Sequence, residues 1–230
     1  MLWISRIEKK RVEIGAIPAI YYTPIDVEPC GTVIHYHGWS SQKENHDLMA
    51  STLCAAGFQV LVPDGLYHGE RGSVDYEEDF EKILDVILQS IKEFPLLYAW
   101  LEPKELAITG HSMGSMIAAG LFHNHPSIAK AAVINGYCNY KEGFKDAEAI
   151  PEELLELDPM NHLDQVGNRK LLVLHGDADS SVSIDIQRDY VERAKKFFLE
   201  GHLQYEELPN LNHYISLSML QRTIEFLRDL

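Results

Sequence analysis

The chain has 230 residues, 46% of them hydrophobic and 24% charged, which is the balance of a folded domain with a sizeable core. Its 20 lysines and arginines against 35 acidic residues give a net charge of −15, which repels phosphate backbones and anionic lipids and argues against nucleic-acid or membrane-surface partners. The 3 cysteines, Cys30, Cys54 and Cys138, are scattered without CxxC spacing, as expected for reduced thiols and for neither a disulfide framework nor a zinc site.

The first eleven residues lack the basic start, apolar core and cleavage site of a secretory leader, and no apolar run nears the roughly 18 residues that cross a bilayer. A cytoplasmic location is the expectation. Residues 11–22 are β-prone around Gly15-Ala16-Ile17-Pro18 and predict an antiparallel hairpin. Beyond it, short β-branched runs at 32–36, 59–63, 106–109, 131–135, 170–174 and 204–208 predict strands. Helical periodicity predicts helices over 45–56, 76–100, 113–123, 184–200 and 214–229. Such alternation implies an α/β fold with a mostly parallel twisted sheet and helices on both faces.

One connection is long. Residues 138–169 carry an acidic bias (Glu142, Asp146, Glu148, Glu152, Glu153, Glu156, Asp158) and predict a small helical insertion above the carboxyl edge of the sheet. Base rates favour a solvated helical face for it, with a lid or a homodimer contact as the other readings. No linker or internal repeat divides the chain, so 1–230 reads as one domain.

The strongest signal is Gly110-His111-Ser112-Met113-Gly114, a G-x-S-x-G pattern between a strand-like run and a helical one. A sharp strand-to-helix turn would hold Ser112 in strained geometry, and side chains at the two glycine positions would collide with neighbouring backbone. The turn lifts Oγ to the positive end of the next helix, where the Met113 N–H can face a developing oxyanion. The bland alternative is a glycine-rich turn in which Ser112 merely caps that helix.

A serine hydroxyl needs an imidazole to take its proton, and the imidazole needs a carboxylate to fix its tautomer. The chain supplies both after Ser112, at the ends of later strand-like runs: His175-Gly176-Asp177-Ala178-Asp179, then Pro209-Asn210-Leu211-Asn212-His213.

From His35 to the last helix the chain resembles the α/β-hydrolase superfamily, in particular small serine esterases related to the prolyl-oligopeptidase and dienelactone-hydrolase branches. The resemblance implies Asp179, the last residue of an H-G-x-x-D pattern, as the orienting acid, with Asp177 left to the turn. It implies His213 as the base, the position this fold reserves for it. Dienelactone hydrolases use a cysteine nucleophile, so their lactone chemistry is not carried over to Ser112. Tyr36-His37-Gly38-Trp39-Ser40 resembles the family's H-G-x loop, which implies the Trp39 N–H as the second oxyanion donor. Pro63-Asp64-Gly65-Leu66-Tyr67-His68-Gly69 resembles the loop that shapes the cleft floor, and Asp158-Pro159-Met160 the segment returning the insertion to the core.

Ten other histidines compete with His213, since the chain has 11. His111 is expected beside the nucleophile, touching substrate without acting on it. His35 and His37 are read as facing opposite sides of the sheet, which would keep them from sharing a metal. His123 and His125 are expected at the surface, and His175 is expected to structure the acid loop. Trp39, His111 and Tyr67 are the expected substrate-contacting residues, around a partly apolar acyl pocket bounded by Trp39, Met113 and the insertion.

These features imply a serine esterase that hydrolyses short or medium uncharged acyl esters through a Ser112–His213–Asp179 triad and an acyl-enzyme, with no metal or organic cofactor. Peptidase, thioesterase or acyltransferase action would use the same residues. A binding module that had lost its chemistry would lack one of them.

Overall fold

The computed structural model describes residues 6–25 and 27–228. The first five residues of the leader reading and the last residue of the helix expected over 214–229 lie outside the described residues.

Eight strands form one sheet: β1 (Ile7–Ile14), β2 (Ile17–Pro24), β3 (Thr32–Tyr36), β4 (Gln59–Pro63), β5 (Leu106–His111), β6 (Ile128–Ile134), β7 (Lys170–Gly176) and β8 (Leu203–Leu208). Their spatial order is β1-β2-β4-β3-β5-β6-β7-β8. β1 and β2 are the expected hairpin, closed by a two-residue turn in which Gly15 takes φ +63°. β2 runs antiparallel to β4, and all pairings from β4 to β8 are parallel. Seven helices accompany the sheet among the described residues: α1 (Asp47–Ala55), α2 (Ile83–Leu101), α3 (Met113–Asn124), α4 (Tyr140–Gly143), α5 (Glu152–Glu156), α6 (Ile184–Ala194) and α7 (Leu217–Leu227).

The parallel strands are apolar on both faces because helices cover both. Along β7, Leu171 and Val173 join one core layer while Leu172 and Leu174 join the other. The first layer packs against α2, α3 and α6, the second against α1 and α7. α3 is buried from Met113 to His123, so it carries no polar stripe. The chain order reverses at β3, which has β4 on one side and β5 on the other. In open α/β sheets the crevice beyond the carboxyl ends of strands at such a point is where ligands bind.

Three helices are shorter than periodicity predicts by more than three residues, each for a tertiary reason. α2 starts at Ile83 because residues 76–82 are held in turns. There Asp75 Oδ1 accepts from the Glu77 and Glu78 N–H groups, while the Tyr76 carbonyl accepts from Trp39 Nε1 at 2.8 Å. α6 stops at Ala194, and the chain then turns so that Phe198 stacks on Phe122, with centroids 6.4 Å apart. α7 begins at Leu217, capped by Ser216 Oγ, because His213 and Tyr214 belong to the loop beyond β8. Residues 138–169 hold α4, α5 and two short 3-10 turns, tied down where Asp158 accepts from the Met160 and Lys141 N–H groups.

Two expectations about histidines are corrected. Residues i and i+2 of a strand share a face, so His35 and His37 both look toward His46, with ring centroids 4.8 and 6.2 Å from it. His35 bonds His46 at 2.7 Å and Thr109 at 2.8 Å, a buried polar chain, and no group of side chains that could hold a metal is found among the described residues. His123 is buried, not at the surface, because its ring nitrogens reach the Ala119 carbonyl at 2.8 Å and the Tyr190 hydroxyl at 3.0 Å.

Candidate active site

Four loops at the carboxyl ends of β3, β5, β7 and β8 meet in one place. After β5, Ser112 adopts φ 56° and ψ −120°, a conformation that L-residues avoid, and α3 starts at the next residue. A Cβ on Gly110 would strike the Gly114 backbone, and one on Gly114 would strike the Tyr36 carbonyl. The two glycines are what let strand, turn and helix close this tightly. The turn is held from beside: Ser112 N–H donates to the Ile134 carbonyl at 2.9 Å, and Ile134 N–H donates to Ser115 Oγ at 2.6 Å.

Across from it, His213 Nε2 lies 2.8 Å from Ser112 Oγ and His213 Nδ1 lies 2.8 Å from Asp179 Oδ2. An ionised carboxylate only accepts, so the Nδ1 must carry the proton and Nε2 is left to accept from the serine hydroxyl. Asp179 Oδ1 accepts from the Ser181 and Val182 N–H groups, both at 2.9 Å. Burial pushes this carboxyl up, but the bonds from His213 and the two amides outweigh it and hold it below its ordinary value of 3.8. His175 lies beneath, its Nε2 3.1 Å from the Val182 carbonyl and 3.4 Å from Asp179 Oδ2. Asp177 faces away and accepts from Asn210 N–H at 2.6 Å, which makes it a turn residue.

The Met113 and Trp39 N–H groups donate to no protein acceptor among the described residues. The Gly38 carbonyl, in the same peptide unit as the Trp39 N–H, faces His37 Nδ1 at 2.8 Å, and His37 Nε2 accepts from Gly65 N–H at 2.9 Å. Burial lowers the His37 pKa to about 3, so this ring stays neutral and keeps both roles. A Cβ on Gly38 would press on Ser112 Cβ at 3.3 Å, which is how closely the β3 loop approaches the serine.

A cavity of about 340 Å³ opens over Ser112 and His213, walled by Trp39, Phe80, Ile83, Met116, Tyr137 and Phe144. Trp39 packs edge-on to Tyr76 and Phe80, with centroids 5.2 and 6.0 Å apart. Of the residues expected to touch substrate, Trp39 lines this cavity, and Tyr67 and His111 are not among its walls. Tyr67 has φ 61° and supports the rim through its carbonyl, which accepts from the Tyr76 hydroxyl at 2.9 Å. His111 stands 4.9 Å from the His213 ring, its pKa lowered to about 3 chiefly by burial.

Sequence reasoning missed the wall residues Phe80, Ile83, Met116 and Tyr137, and it missed Asn135. Phe80, Ile83 and Met116 read as ordinary core positions of helical runs. Asn135 carried one local signal, since an Asn-Gly pair directly after a buried strand marks a turn with positive φ. Its φ is 53°.

A family model described as serine aminopeptidase, S33, matches residues 27–158, more than half of the chain. Esterase YjfP of Escherichia coli (strain K12) is 30% identical over 250 residues, spanning 97% of this chain and 99% of that protein. Two solved structures of 19% identity share the fold. TT1662 from Thermus thermophilus has a TM-score of 0.79 over 97% of this chain and 98% of its own. A PEG-bound cold-adapted esterase from an Arctic intertidal metagenomic library has a TM-score of 0.73 over 100% and 99%. The chain thus belongs to the α/β hydrolases, in the family described as serine aminopeptidase, S33, and is a hydrolase of the carboxylesterase type.

Proposed function

We propose that this protein hydrolyses neutral carboxylic esters of short or medium acyl chain through a covalent acyl-enzyme on Ser112. The observation that carries the reading is the unbroken relay from Asp179 through His213 to Ser112, two contacts of 2.8 Å ending on a serine in a strained turn. His213 Nε2 takes the hydroxyl proton as Ser112 Oγ attacks the ester carbon, and Asp179 stabilises the imidazolium that forms. The oxyanion develops between the Met113 and Trp39 N–H groups, each worth about 3–4 kcal/mol in the transition state by analogy with single-donor deletions. His213 returns the proton to the departing alkoxide. Water, deprotonated in turn by His213, then frees the acid and restores Ser112.

The cavity supports an uncharged acyl group, because its lining combines Trp39, Phe80, Ile83, Met116, Phe144 and Val182 with no lysine or arginine. The gap between the matched family's name and ester hydrolysis has a physical answer. An aminopeptidase must pair the substrate's ammonium group, and this lining contains no aspartate or glutamate. Thioesters would meet the same triad and remain the second reading. Within a single 1–230 domain, the 138–169 insertion acts on this reading as a partial lid, since Gly143 and Phe144 belong to the cavity wall. A cytoplasmic site of action fits three free thiols, and no helix among the described residues is long and apolar enough to cross a membrane.

The test is initial rates on p-nitrophenyl esters of increasing acyl length, alongside aminoacyl-p-nitroanilides. The reading expects a rate optimum at short or medium chains that vanishes in Ser112→Ala, and no anilide turnover. Full activity in Ser112→Ala, or anilides preferred over esters, contradicts it.

A further inference from the structure

We infer that Asn135 is a positioning residue that locks the three triad-bearing loops together, an inference that rests on the triad reading above. It follows β6, the strand that runs between the nucleophile strand β5 and the acid strand β7. Its side chain is fully buried and its backbone is left-handed, a conformation that asparagine tolerates better than most residues.

Its backbone N–H and both polar atoms of its side chain each have a separate partner. Its N–H donates to the Leu174 carbonyl at 3.0 Å, and its Oδ1 accepts from Gly176 N–H at 3.0 Å, which fixes the end of β7 where the Asp179 loop begins. Because Gly176 N–H can only donate, Oδ1 must face it, and Nδ2 is left to donate to the Tyr214 carbonyl at 3.2 Å. Tyr214 is the residue after His213. Its neighbours on either side in the chain, Ile134 and Gly136, complete the lock. Ile134 accepts from Ser112 N–H, and a Cβ on Gly136 would press into Ser115 and the Ser112 carbonyl.

The bond to Tyr214 is what makes Asn135 more than a turn residue. Besides the bond from His213 to Asp179 itself, the contacts that hold the His213 loop to the acid loop precede His213: Asn210 to Asp177, Ala178 to Leu211, and Ser180 to Asn212. Tyr214 itself is 71% exposed, so its side chain buries little surface that could hold the loop. Asn135 therefore holds the histidine from its other side. Loss of that hold lets Nε2 drift from Ser112 Oγ, and misplacement of about 1 Å costs about a hundredfold in rate.

The experiment compares Asn135→Asp and Asn135→Gly with wild type and with Leu53→Ala, a core truncation in α1 that serves as the stability control. Asn135→Asp keeps the acceptor for Gly176 and sets a carboxylate against the Tyr214 carbonyl; Asn135→Gly keeps the backbone conformation and removes both side-chain bonds. In both, kcat on a p-nitrophenyl ester and the fluorophosphonate labelling rate should fall together by about tenfold to a hundredfold, with KM little changed. Leu53→Ala should retain wild-type kcat per folded molecule. A protonated carboxyl can donate where the amide did, so the ratio of Asn135→Asp to wild-type activity should rise as pH falls. Wild-type kcat in both Asn135 variants, or losses no larger than the control's at equal Tm, would overturn the inference. A wild-type protein that neither turns over esters nor labels instead removes the triad reading, and this inference with it.

Discussion

At the site the decisive residue after Ser112 is Asp179, because two aspartates two positions apart offer the same chemistry and only one reaches the imidazole. Asp179 gives one oxygen to His213 and the other to two backbone amides, so it cannot rotate without breaking three bonds. Asp177 accepts one bond, from Asn210 N–H, and an amide oxygen could accept it equally well. Asp179→Asn should therefore lower kcat by about 10³–10⁴-fold by favouring the wrong histidine tautomer. Asp177→Asn should stay within about threefold of wild type, since surface turn changes that keep their bonds are small. Steady-state kinetics on one ester decides it, and a larger loss at Asp177 would exchange the roles. The motif spacing pointed to this pair, but only the resemblance separated the two. The physical reason for the choice, the direction in which each carboxylate leaves the loop, has no trace in the sequence.

Elements differ in how much of themselves they declare. The parallel strands were legible to within a few residues because burial on both faces demands near-continuous apolar runs bounded by turns. The turn at Ser112 was legible because its glycines answer a local clash, one at Gly110 and one at Gly114. Residues 76–82 were not. Their composition favours a helix, yet the indole of Trp39, 37 positions earlier in the chain, takes the Tyr76 carbonyl and packs on Phe80. Tertiary capture overrode propensity there, and the result is the rim of the cavity. The same limit hid Asn135, whose partners come from β7 and from the loop after β8. The error over His35 and His37 was different in kind, because strand periodicity alone puts i and i+2 on one face.

For the whole molecule the buried histidines set a stability limit on the acid side. Burial chiefly lowers His37 and His111 to about 3 and His46 and His123 to about 4, against 6.5 in the unfolded chain. Between those values the unfolded state binds more protons, so stability is complete above about pH 7 and is lost as pH falls toward 4. Each proton contributes a slope of about 1.4 kcal/mol per pH unit where it is fully taken up. The net charge of −15 works the other way, since acidification relieves surface repulsion, but salt screens that effect and leaves the buried groups alone. Urea midpoints in about 0.3 M salt should fall steadily from pH 7 to pH 5. A midpoint that holds or rises over that range would mean that these imidazoles are not kept neutral by the fold. Two apolar layers, one sheet and four loops at its carboxyl edge followed from patterning; the histidine network between the layers did not, because a buried histidine looks like a surface one in sequence.

The central claim is that Ser112 is a nucleophile activated by His213. Its most direct test is intact-protein mass spectrometry after treatment with a fluorophosphonate, followed by peptide mapping, on wild type and on His213→Ala. The account predicts one adduct per chain, on Ser112, forming at least a thousandfold more slowly without the imidazole. No adduct, an adduct on another residue, or equal rates in the two proteins would contradict it.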